Sequence, residues 1–124
     1  IRKFHEAKLN GNSPIELWGT GSPMREFLHV DDLAQAVLFS LENKLEEHLY
    51  NVGTGVDLTI RELAKLVQSM IGHKGEVVWD TSMPDGTMKK LLDSSRFRNK
   101  GWNPDIKLPV GIRETYIKFK EKEK

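Results

Sequence analysis

The stretch "GTGSPMREFLHVDD", Gly19 to Asp32, decides how this 124-residue sequence is read. It opens as a glycine turn of the kind that could cradle a phosphate. It then carries an arginine and runs into bulky residues over Glu26–Val30, which predict a strand. Asp31 or Asp32 can cap a helix that continues through about Glu42. A strand feeding a capped helix is a unit of an α/β fold. The question is whether the turn serves a dinucleotide or a substrate.

Outward from this unit the alternation continues. Ile1 to about Asn10 reads as a helix, Asn10–Pro14 as a turn cluster and Ile15–Trp18 as a short strand. His48–Val52 reads as a third strand that ends at the glycines of "NVGTG". Thr59 and Glu62 form a capping box, and the helix behind it places Ile60, Leu63, Ala64, Val67, Met70 and Ile71 on one face before Gly72 ends it. Glu76–Trp79 predicts a fourth strand, Ser82–Thr87 a loop and Asp93–Lys100 a short helix stopped by Gly101. A last helix from about Val110 sets Ile112, Tyr116 and Phe119 on one side and runs into the charged "EKEK" end. The helix after Asp32 is unusual. Leu33, Ala36, Val37 and Leu41 make one apolar face, yet Leu38 and Phe39 widen it, which predicts burial on more than one side.

The length suits one domain, large enough to bury roughly 65–70% of its unfolded surface. Cysteine is absent, so disulfides and cysteine-bound metals are excluded, and the composition fits a reducing, cytoplasmic setting. A formal net charge of +1 gives no reason to expect nucleic acid or an acidic membrane as partner. No apolar run is long enough to span a bilayer. The chain opens without Met in what reads as an amphipathic helix, so we expect a piece of a longer protein.

Several motifs fail on inspection. A dinucleotide loop needs G-x-G-x-x-G. "GTGSPM" puts Met24 where the third glycine belongs, and "GTGVDL" puts Leu58 there. Both read as turns between elements. Tyr116 and Lys120 have the Y-x-x-x-K spacing of a proton-trading pair, but they read as a core tyrosine beside a solvated lysine. His5, His29, His48 and His73 show no metal-binding spacing. His29 reads as a hydrogen-bonded strand histidine, and Arg96 and Arg98 as surface residues.

"MREFLHVDDLAQAV" (Met24–Val37) resembles the R-x-F-x-x-V-x-D element of extended short-chain dehydrogenases/reductases that act on nucleotide sugars. "WGTGSPMREFLHVDD", "NVGTGVDLTIRELA" and "PDGTMKKLLDSSR" together are similar to the GDP-L-fucose synthase family over nearly the whole chain. The resemblance implies an α/β chain that is the carboxy-terminal substrate-binding part of a Rossmann-like parent, a small mixed sheet with helices. Residues 1–124 would form one substrate-binding unit, with residues of about 26–42 belonging to the nucleotide-fold half. It implies a parent enzyme that epimerises GDP-4-keto-6-deoxy-D-mannose at two sugar carbons and reduces its 4-keto group with NADPH. NADP(H) and the catalytic residues would belong to a missing amino-terminal domain, leaving no catalytic or cofactor-binding residue and no metal site here. A homodimer is implied for the full-length enzyme.

A diphosphate wants fixed cations, and arginine offers a planar fork of donors. On residues alone, Arg25 is either such a cation or a surface arginine; the resemblance favours the first. It likewise implies substrate contacts for Trp18, for Lys3 in the first helix, for Asp85 in the Pro-Asp-Gly loop and, more weakly, for Lys90. Read alone, these are core, solvated or turn residues. Two rivals remain: another nucleotide-sugar epimerase or dehydratase of the superfamily, and a non-enzymatic binding module.

Overall fold

The computed structural model describes residues 1–122. Its elements in chain order are α1 (Arg2–Leu9), β1 (Ile15–Trp18), β2 (Met24–Glu26), α2 (Val30–Glu42), β3 (Asp57–Thr59), α3 (Ile60–Ile71), β4 (Val77–Asp80), β5 (Lys89–Lys90), α4 (Ser95–Asn99) and α5 (Leu108–Lys122). The α/β class holds, but the strands form two sheets rather than one. β1 pairs with β4 in parallel, and β2 lies between antiparallel β3 and parallel β5.

The main core lies between the β1–β4 pair and three helices. Phe4 and Ala7 of α1, Ile15 of β1, Ala64, Val67 and Ile71 of α3, and Ile112 and Tyr116 of α5 are buried together. The central helix α3 forms where its caps predict. The Thr59 hydroxyl accepts from the Glu62 amide, the Glu62 carboxylate accepts from the Thr59 amide, and Gly72 closes the helix at φ 74°. Tyr116 faces this core, its hydroxyl 3.0 Å from His5 Nδ1, while Lys120 Nζ lies 4.9 Å from the centre of its ring. The last two residues of "EKEK", Glu123 and Lys124, lie outside the described residues.

A smaller core gathers around α4. Phe97 is 1% exposed and packs its ring against Phe39, Tyr50 and Trp102, with Ala36 of α2 beside it.

Several sequence expectations are corrected. The strand expected over Glu26–Val30 is shifted: β2 ends at Glu26 because its pairing with β3 ends there, and the chain then turns into α2. The cap of α2 is His29, not an aspartate; its Nδ1 accepts from the Asp31 amide at 3.3 Å. Asp32 is instead buried and accepts from the amides of Asp105 and Ile106, at 3.0 and 3.1 Å. His48–Val52 is irregular, because among the described residues no strand runs alongside to share its hydrogen bonds; Tyr50 and Val52 pack on the Phe97 core instead. Arg98 is half-buried, and its Nη1 donates to the Thr54 carbonyl. The wide apolar surface of α2 is buried on one side only: Val30, Leu33, Val37, Leu38 and Leu41 are all exposed.

Candidate functional site

The turn between β1 and β2 organises the candidate site. Gly19 (φ 77°) and Gly21 (φ 75°) adopt left-handed backbone, which a side chain would strain. There is also no room for one: a Cβ on Gly19 would come 2.3 Å from Asp85 Oδ1, and one on Gly21 2.6 Å from the Trp79 ring. The turn is thus filled by the chain's own side chains. The second glycine turn is filled too. The Glu26 carboxylate accepts from the Gly55 amide at 2.6 Å and from the Thr54 hydroxyl at 3.2 Å, and the Arg98 guanidinium packs over Gly55. A carboxylate in that position would repel a pyrophosphate. Neither turn fits a dinucleotide.

Four of the five sequence-predicted site residues meet near the first turn. Trp18 ends β1 and is 66% exposed, a large apolar face turned to solvent. Two residues on, Thr20 holds Asp85: its amide donates to Oδ1 at 2.9 Å and its hydroxyl to Oδ2 at 2.5 Å. Those two donors, the hydroxyl first, hold the Asp85 carboxyl below its ordinary range, so it is ionised at neutral pH. The neighbouring Gly86 lies against Arg25, since a Cβ there would be 3.2 Å from Arg25 Nη2.

Arg25 itself sits mid-β2, with Nη1 donating to the Met24 carbonyl at 2.6 Å. Its register partner on β5 is Lys90. Side chains paired in this way share a face of the sheet, and like charges so placed repel unless an anion comes between them. Lys89 takes a different role, with Nζ 3.5 Å from Asp57 Oδ2. Lys3 stands apart from the cluster; its Nζ donates to the Glu16 carbonyl on β1 at 2.9 Å.

Two residues at this site escape sequence reasoning. Arg61, in the first turn of α3, stacks its guanidinium 4.4 Å from the centre of the Trp79 ring and donates from Nη2 to the Thr20 carbonyl. In sequence it reads as a solvated helix residue. Thr20 reads as an ordinary turn residue. Neither carries a local signal, because each acts across 41 positions of chain.

A turn that carries an exposed tryptophan and leads into an arginine, with the Asp85 carboxylate tied to it and Lys90 across from Arg25, defines a charged, aromatic-edged surface in an α/β chain. The family model for the NAD dependent epimerase/dehydratase family matches residues 1–53. It is 52% identical over 116 residues to "Probable GDP-L-fucose synthase 1" of Oryza sativa subsp. japonica, covering 94% of this chain and 35% of that protein. It is 47% identical to the GDP-L-fucose synthase of Escherichia coli (strain K12), covering 98% of this chain and 40% of that protein. Among solved structures, a GDP-mannoheptose C4 reductase from Campylobacter jejuni with NADP bound matches at 37% identity and a TM-score of 0.85, over 96% of this chain and 42% of that one. The chain therefore spans little more than a third of the length of these curated relatives.

Proposed function

We propose that this chain is the substrate-binding carboxy-terminal part of a GDP-L-fucose synthase. The full enzyme would convert GDP-4-keto-6-deoxy-D-mannose to GDP-L-fucose by epimerisation and NADPH-dependent reduction. The observation that carries this reading is the 52% identity to a GDP-L-fucose synthase over nearly the entire chain. The site supports it. Arg25 and Lys90, opposed across β2 and β5, are a seat for a diphosphate. The exposed face of Trp18 is suited to a flat base or sugar ring. Each Asp85 oxygen keeps a lone pair beyond its bond to Thr20 and can accept from a ribose or sugar hydroxyl. Lys3, apart from this cluster with its Nζ on the Glu16 carbonyl, is a further substrate contact in this reading.

NADPH supplies the hydride when bound, from an amino-terminal nucleotide-binding domain. The exposed apolar stripe of α2 supports assigning residues of about 26–42 to that half, with residues 1–124 otherwise one substrate-binding unit. The isolated chain is then inactive, and the full enzyme is a cytoplasmic homodimer. Among the described residues no helix is long and apolar enough to cross a membrane. A second reading, a GDP-sugar reductase for another sugar, draws on the likeness to the GDP-mannoheptose C4 reductase. Turnover of a panel of GDP-4-keto sugars by the full-length protein separates the two.

Arg25 provides the direct test. A charge-assisted hydrogen bond contributes about 1.5–3 kcal/mol, so Arg25→Ala in the full-length protein weakens GDP-sugar binding roughly 10- to 150-fold. NADPH affinity stays unchanged, and Arg25→Lys recovers binding only in part, since an ammonium lacks the planar fork. Substrate affinity within twofold of wild type, with the fold intact, refutes the assignment.

A further inference from the structure

Thr20 bears no charge, yet its amide, hydroxyl and carbonyl are all engaged. The amide and hydroxyl donate to the two oxygens of Asp85, the hydroxyl oxygen accepts from the Ser22 amide at 3.1 Å, and the carbonyl accepts from Arg61 Nη2. Arg61 is fixed in turn by the Trp79 ring and by its own amide, which donates to the Gly21 carbonyl at 2.9 Å. The Ile60 amide donates to the Pro23 carbonyl at 2.9 Å. The short connection from Trp18 to Arg25 is therefore tied on one side to the segment between β4 and β5, and on the other to the first turn of α3.

The tie reaches the proposed ligand-binding groups from both directions. Trp18 immediately precedes the turn and Arg25 follows it. Through Asp85 the turn also holds Gly86, whose backbone lies against the Arg25 guanidinium. The left-handed glycines on either side of Thr20 have no room for a side chain. A site held in this way need not be ordered at the expense of binding.

We propose that Thr20, acting with Arg61, is a positioning residue for the nucleotide-sugar site: through Asp85 and Arg61 it fixes the turn that presents Trp18 and Arg25, and so sets affinity for the GDP moiety. This rests on the reading of the site given above. Thr20 touches neither substrate nor cofactor in this role, so its loss raises the substrate KM and leaves kcat nearly unchanged.

The test uses the full-length protein. Thr20→Val keeps the shape and removes the hydroxyl, Thr20→Ser restores it, and Arg61→Met keeps the stem and removes the donors. Dissociation constants for GDP and for NADPH are measured by titration calorimetry alongside melting temperatures and steady-state kinetics. Thr20→Val and Arg61→Met each weaken GDP binding about 5-fold, Thr20→Ser stays within twofold, and NADPH affinity does not move. GDP affinity within twofold of wild type in Thr20→Val overturns the inference, as does an equal loss of NADPH affinity. If Thr20→Val does not fold, Arg61→Met decides by the same criteria. Arg25→Ala is measured in parallel. If Arg25→Ala loses GDP while Thr20→Val does not, the positioning role fails and the reading of the site stands. If Arg25→Ala keeps GDP, the reading fails and the positioning role falls with it.

Discussion

Helices α2 and α3 are both rich in apolar residues, yet this chain uses them in opposite ways. In α3, Ala64, Val67 and Ile71 face the main core and are covered by α1 and α5. In α2, the fully buried positions are Ala36 and the charged Asp32, while Val30, Leu33, Val37 and Leu41 recur along an exposed stripe. The contrast lies in partners rather than in propensity. The apolar face of α3 is buried in the main core, whereas α2 is held by the Phe97 core and by Asp32, and among the described residues nothing covers its second apolar face. A helix with two apolar faces is a helix with two neighbours, which is why the proposed nucleotide-binding half is the natural cover for the stripe.

The largest effect that sharpens this contrast is expected at Ile71, which is 2% exposed. Ile71→Ala should cost about 2–5 kcal/mol through lost burial and the cavity left behind, measured by denaturant unfolding. A cost under 1 kcal/mol would mean that the main core is not the stabilising centre. Next comes Asp32. Asp32→Ala removes the acceptor of two part-buried hydrogen bonds from the amides of Asp105 and Ile106 and should cost about 1–3 kcal/mol; an unchanged unfolding midpoint would show that this tie does not hold α2.

Leu41 makes the sharpest counterpart to Ile71. It is 79% exposed, so Leu41→Ala in this chain should stay within about 0.5 kcal/mol. In the full-length protein the same substitution should cost about 2 kcal/mol or more, as for a buried leucine. Equal, negligible costs in both would break the proposed docking of α2.

The smallest effect is a pH dependence at the start of α3. The Glu62 carboxyl is held below its ordinary value, first by the Thr59 amide and then by its hydroxyl. A carboxyl whose folded-state value is depressed stabilises the fold fully above its unfolded value of 4.5, and that contribution drains away as the pH falls through the folded-state value. Glu62→Gln should therefore lower stability slightly at neutral pH and flatten the acid limb of the stability profile. Parallel profiles for the two proteins from neutral pH down to acid would remove this role.

Local chemistry made much of this chain legible from its sequence. The capping box and Gly72 bound α3, the strands read over Ile15–Trp18 and Glu76–Trp79 appear as β1 and, shifted by one residue, as β4, and both glycine stretches lack a third glycine and read as turns, because caps and turns depend on residues only a few positions apart. The tertiary structure decided what depends on distant partners. Ladder partners end β2 at Glu26 and leave His48–Val52 without a strand beside it. Asp32 turned from a helix cap into a buried acceptor once residues 105–106 came alongside. Trp18, Arg25, Asp85 and Lys90 read alone as core, surface or turn residues and were singled out only by the family resemblance, and the turn between Trp18 and Arg25 is held by Thr20 meeting Asp85 across 65 positions and Arg61 across 41. A hydrogen bond between side chains so far apart leaves no periodic trace in the sequence, since neither partner alone departs from what an exposed turn or helix would carry.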